Sequence, residues 1–127
     1  ADVVVGIDVD LDAMTAGATA GVPVMQNHLK VEPATFPEVL ALVKAHRLDV
    51  VIARRIFPEL FGKDIPAGKQ FAHLLARAGV KEMIIEGRIN TLSATNPLKS
   101  IDQEVAMVNG AYREKRRMGA VSYLTAW

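Results

Sequence analysis

The sequence predicts a three-layer α/β domain: a five-stranded, mostly parallel, doubly wound sheet of Rossmann-like or flavodoxin-like type, strand order 2-1-3-4-5. Three observations lead there. Short β-branched runs alternate with longer stretches of helical period along the whole chain. The opening run (Val3-Val4-Val5-Gly6-Ile7) is apolar at consecutive rather than alternate positions, as in strands covered on both faces. Several helical stretches also end at a glycine where a helix C-cap belongs. Repeated strand–helix–strand units imply parallel pairing through right-handed crossovers, with helices on both faces. Five strands in a small sheet of this kind most often take the order given.

The first strand is Val3–Asp8, an apolar run ending in acid. Leu11 to Ala20 is rich in small residues and helical, with Gly21 after its end. Val22-Pro23-Val24-Met25 reads as a short second strand, its proline confined to an edge or an end. Thr35-Phe36-Pro37-Glu38 combines an N-cap threonine, an early proline and a glutamate placed for a capping box. Phe36, Val39, Leu40 and Val43 then form one apolar stripe.

Asp49–Ala53 is the third strand. A helix beginning near Asp64 or Pro66 carries Phe71, Leu74, Leu75 and Ala78 inward and stops at Gly79. Lys81–Glu86 is the fourth strand. Ser100 with Gln103 makes a second capping box, opening a helix with Ile101, Val105, Val108 and Tyr112 inward. Arg113-Glu114-Lys115-Arg116-Arg117 falls in the last turn of that helix, where cations complement the dipole. Gly119 follows its end, and the closing apolar run Ala120–Trp127 is the fifth strand.

With 127 residues, the chain is expected to form one domain, 1–127. Half of it is apolar and only 6% aromatic, so the core is expected from Val, Ile, Leu, Ala and Met. Part of the apolar supply suits an interface, which makes a homo-oligomer or a piece of a larger complex the expected setting. The first residues enter a strand at once and the last form an apolar run with no polar tail, as expected either from initiator removal before Ala1 or from a domain cut out of a longer chain. A net charge of +1, spread along the chain, gives no electrostatic case for nucleic acid or a membrane surface. The absence of cysteine removes disulfides and thiolate chemistry and fits a cytoplasmic protein.

In an open parallel sheet, ligands sit outside the carboxyl ends of the strands. Asp8, Asp10 and Asp12 follow the first strand. Asp8 and Asp10 are candidates for catalytic carboxylates or for holding Mg²⁺; the competing reading is that an aspartate caps the next helix. Receiver domains and haloacid-dehalogenase phosphatases also cluster acids there, but Arg54 stands where the former need an acceptor aspartate and Asp12 departs from the latter's pattern.

Arg54 and Arg55 follow the third strand, two guanidinium groups able to grip a phosphate or carboxylate in bidentate fashion. Their competing reading is an ion network with Asp8, Asp10 or Glu86. After the fourth strand, Glu86 is the third catalytic candidate, and Arg88, Asn90 and Thr91 offer hydrogen bonds to a small polar ligand. His28 is the one histidine expected near the site, on the ligand-binding side. P-loop, dinucleotide-binding and serine-elbow patterns are missing, as is metal-ligand histidine spacing.

Two functions follow. One is a small cytoplasmic enzyme, or catalytic domain, acting on a small anionic metabolite. The other is a non-catalytic ligand-sensing or assembly domain of a larger oligomeric complex.

Overall fold

The chain's architecture is taken from a computed structural model, which describes residues 4–8, 24–54, 57, 61–87 and 101–127. In chain order the elements are β1 (Val4–Asp8), β2 (Val24–His28), a 3₁₀ turn (Pro33–Thr35), α1 (Phe36–His46), β3 (Val50–Arg54), α2 (Ile65–Arg77), β4 (Glu82–Glu86), α3 (Ile101–Val108), β5 (Tyr112–Met118) and β6 (Val121–Ala126). The expected helix over Leu11–Ala20, Gly21 and the beginning of the second strand at Val22-Pro23 lie outside the described residues.

A five-stranded, mostly parallel, doubly wound sheet of Rossmann-like order 2-1-3-4-5 does not form. The described strands make a mixed four-stranded sheet of order β3-β4-β6-β5 and a separate parallel pair, β1-β2. β3 and β4 are parallel, with Val50 opposite Glu82 and Arg54 opposite Glu86. β6 runs antiparallel to both β4 and β5. β1, expected beside β3, pairs with β2 alone.

The antiparallel half follows from a misread period. Val105, Val108 and Tyr112 keep helical spacing, so the expected helix runs through the basic cluster. In the structure α3 ends at Val108, at Asn109-Gly110, and residues 112–118 form a strand. A hairpin turns at Gly119, whose φ of 57° is in the left-handed region that glycine enters without strain. Because β5 intervenes, β6 returns antiparallel to β4, where a helix leading straight into the last strand would have delivered it parallel. Arg113–Arg117 therefore decorates an edge strand, where charge discourages pairing with another chain.

Three layers are not seen among the described residues either. Along β3 and β4 burial alternates, Ala53, Met83 and Ile85 being buried while Val50 and Ile52 are exposed. The buried row joins Leu124 of β6 and the apolar positions of all three helices in one core. These helices cover a single face. All four phenylalanines sit in this core. Phe36 of α1 stacks on Phe71 of α2 at 4.9 Å between ring centres, and Phe61 lies 5.7 Å from Phe71 and 5.8 Å from Phe57. The scarce aromatics are thus concentrated, anchoring Phe57 and Phe61, which follow β3, to both helices.

Helix starts follow their local signals in one case and not in the other. Asp64 caps α2, its carboxylate accepting from the Ala67 amide at 3.1 Å, with Pro66 in the first turn. The α2 C-terminus closes on Gly79 at φ 105°. Thr35 precedes α1, but the expected capping box with Glu38 is not made. Its hydroxyl accepts from the Glu32 amide at 3.0 Å and donates to the Lys30 carbonyl at 2.6 Å, which closes the 3₁₀ turn instead. Ser100, of the second expected box, lies outside the described residues.

Candidate functional site

Both parallel ladders end in polar pairs at their carboxyl ends. The last register pair of β1 and β2 is Asp8 opposite His28. That of β3 and β4 is Arg54 opposite Glu86. In-register parallel pairing delivers these residues together to the sheet end.

Arg54 Nε donates to Glu86 Oε2 at 2.8 Å. The Arg54 side chain is 77% exposed and that of Glu86 29%. An ion pair this open contributes about 0–1 kcal/mol. Its larger effect is electrostatic: the carboxylate offsets part of the guanidinium charge that an anion would meet. His28 is exposed beside an open hollow of about 430 Å³, lined also by Asn27 and Leu29 and by Glu38, Ala41, Leu42 and Ala45 of α1. Asn27 reaches to the neighbouring β1 and donates to the Gly6 carbonyl at 3.4 Å.

The end of β4 holds a residue that the sequence reading passed over. Glu104 of α3 is 1% exposed, and its carboxylate packs against Gly87, directly after Glu86. A Cβ on Gly87 would lie 2.6 Å from Glu104 Oε2 and 3.0 Å from Ile101 Cδ1, so the close approach requires glycine. The signal was present. Ile101, Glu104, Met107 and Val108 are the buried positions of α3, an i, i+3, i+6, i+7 stripe with an acid in it. Acids are almost never fully buried unless paired.

Among the predicted residues, then, Arg54 meets Glu86, and Asp8 is in register with His28. Asp8 and Arg54 are not joined by a ladder, since β1 does not pair with β3. Asp10, Arg55, Arg88, Asn90 and Thr91 lie outside the described residues, as does Asp12. Among the described residues, no group of three or more acid or histidine side chains is arranged to hold a metal ion, and no helix is long and apolar enough to cross a membrane.

One member of the basic cluster of β5 is paired internally. Arg117 pairs with Asp102 of α3 at 2.7 Å and with Glu114 at 2.8 Å. The buried Ser122 hydroxyl donates to the same Glu114 oxygen at 2.5 Å. These donors, the serine foremost, hold the Glu114 carboxyl below the usual carboxylate range.

No protein-family model and no curated protein matches this chain. Among solved structures it resembles the crystal structure of monomeric WbdD, with a TM-score of 0.67 and 18% identity. The match covers 96% of this chain and 30% of that one. At this identity the likeness establishes a shared fold.

Proposed function

We propose that this domain acts on a small anionic metabolite, bearing phosphate or carboxylate, at the carboxyl ends of β3 and β4. Arg54 contacts the anion, and Glu86 supplies acid–base chemistry beside it. Asp8 and His28 form a second polar pair at the end of the other ladder. The supporting observation is the Arg54–Glu86 pair at the ladder end, in contact range of solvent, with the buried Glu104 carboxylate behind the adjoining Gly87. Arginine held side-on through Nε presents the rest of its fork outward, the geometry that suits an oxyanion. The remaining candidates, Asp10, Arg55, Arg88, Asn90 and Thr91, belong to the segments that follow these strands, where α/β domains carry binding groups.

Thermal unfolding with inorganic phosphate, citrate or Mg²⁺ tests this reading. Phosphate or citrate is expected to raise Tm, and Arg54→Ala to abolish that rise while leaving the unliganded Tm within about 1–2 °C, as an exposed ion pair predicts. An undiminished rise in Arg54→Ala eliminates the anion role. A rise with Mg²⁺ that Asp8→Asn removes supports metal binding at Asp8 and Asp10.

A second reading, the assembly domain of a larger complex, draws on a different observation. Ile52 and Met118 are each 65% exposed and Trp127 73%, large apolar side chains of the kind that interfaces cover. Concentration-dependent light scattering distinguishes it: a monomer at all concentrations that still shows the anion effect favours the enzyme.

A further inference from the structure

The four-stranded sheet has two faces, and the described helices pack on one of them. Alternating burial along each strand shows which residues turn the other way. On β3 these are Val50, Ile52 and Arg54, and on β4 Glu82, Ile84 and Glu86, each more exposed than the residues between them. Cross-strand register continues the rows, so that Ile52, Ile84, Tyr123 and Arg116 stand side by side. A bulge at Lys115 lets Arg113 and Arg116, three positions apart, both oppose outward residues of β6, Thr125 and Tyr123.

Apolar side chains are spread across this outward face. Val50 and Ile52 lie at one side and Val121 and Met118 at the other, all exposed. Charge is segregated instead. The β3–β4 half carries the carboxylates of Glu82 and Glu86 against the one guanidinium of Arg54. The β6–β5 half carries Arg113 and Arg116, and Arg116 makes no ion pair among the described residues.

A face with an acidic half, a basic half and apolar groups in both is complementary to a second copy of itself. A two-fold axis along the strands, between β4 and β6, lays β3 over β5 of the second copy and β4 over its β6. Ile84 then meets Tyr123. Arg116 comes over Ile52, offset from Glu82 by about 8 Å, the diagonal spacing that long side chains span. A two-fold axis across the strands would set Glu82 against Glu86 and Arg116 against itself. Charge therefore selects the first arrangement. Two sheets stacked about 10 Å apart with nearly aligned strands form an ordinary sandwich.

We propose that the outward face of the four-stranded sheet binds a second copy of this chain, the β3–β4 half of each on the β5–β6 half of the other. This deepens the assembly reading given above and rests on it, not on the anion reading. Four strands about 4.8 Å apart and about five residues long span on the order of 300 Å² of flat surface. A standard interface buries about 800 Å² on each partner, so the dimer is weak, with a Kd on the order of 10–100 μM.

Sedimentation velocity of the full polypeptide, from about 1 μM to about 1 mM, tests this. Arg116→Glu and Glu82→Lys are each expected to raise Kd at least about 10-fold, because each brings like charges together across the interface. An equimolar mixture of the two variants is expected to recover the original association, since the new acid of one then faces the new base of the other. Glu82 also accepts from the Tyr123 hydroxyl at 2.8 Å, so if Glu82→Lys misfolds, Arg116→Glu at its exposed position carries the result. A monomer throughout the range overturns the proposal. So does a dimer indifferent to both substitutions, which would leave assembly through another surface. A mixture that associates no better than either variant alone refutes the axis along the strands, and the proposal with it.

Discussion

Two pairs of strands flank the centre of this molecule, and they are held very differently. β1 and β2 are joined to each other in a parallel ladder, with Ile7 partly buried against the core. β5 and β6 form a hairpin whose second strand pairs with β4 over five register positions. Side chains then fasten the hairpin again. The Tyr112 hydroxyl donates to the Val80 carbonyl at 2.6 Å in the buried interior, Arg117 ties β5 to Asp102 of α3, and the Trp127 indole donates to the Asn109 carbonyl at 2.6 Å. The contrast teaches that side-chain fastening is concentrated in the four-stranded sheet and its helices, while the described part of the β1–β2 pair rests on its own ladder and on Ile7 packed against the core.

The sharpest way to break this comparison is to cut equal volumes from both sides. Leu124 of β6 is fully buried among Met83 and the core helices. Leu124→Ala is expected to cost about 3 kcal/mol, the removal of buried methyl groups plus the cavity they leave. Ile7→Ala, at a partly buried position, is expected to cost about 1 kcal/mol. Denaturant unfolding measures both, and equal losses would refute the contrast.

A smaller effect probes the junction between α3 and the end of β4. Gly87→Ala drives a Cβ against Glu104 and Ile101, an overpacking expected to cost about 2 kcal/mol. Glu104→Ala in the same chain opens room for it, so the double variant is expected to lose less than the sum of the two single losses. Additive losses would mean that the glycine serves its own backbone rather than the buried acid.

How much of this was legible depends on the range of the signal. The positions of β1, β3, α2 and β4 follow from local patterns: an apolar run, an aspartate cap at Asp64, a stop at Gly79. The direction of β6 does not, because it is set by whether residues 112–118 are helix or strand, and Tyr112 satisfies the spacing of both. Its burial is a tertiary fact, since its hydroxyl finds the Val80 carbonyl 32 positions away in the chain. At the site, Arg54 and Glu86 were legible as ladder-end residues, and their mutual pairing was the competing reading from the start. Glu104 was missed because an acid inside an apolar stripe is ordinarily assigned to solvent, and only the missing Cβ of Gly87 makes its burial feasible. The separation of β1 from β3 has no counterpart in the local sequence. Strand order is decided by pairing partners, not by the strands' own residues.

The smallest expected effect separates the charge of the hairpin from its packing. Glu114 accepts from Ser122, then from Arg117, and these donors stabilise its charged form. With its folded-state pKa lowered, the carboxylate contributes stability that is fully present above the usual unfolded value of about 4.3 and is lost as pH falls through the folded value. Glu114→Gln keeps an acceptor for Ser122 but removes the charge, so its deficit is expected to be about 1 kcal/mol at pH 7. That deficit should begin to shrink as pH falls below the unfolded value and approach zero only once pH has passed through the lower folded value, where the native carboxylate is itself protonated. Salt at 1 M should narrow the gap at pH 7 only in part, because screening weakens the Arg117 contact and leaves the buried serine hydroxyl in place. Urea denaturation of both chains across pH 3–7 reads this directly. A deficit that stays constant with pH would show that the hairpin is held by shape at this position, and the electrostatic half of the comparison between the two strand pairs would fall.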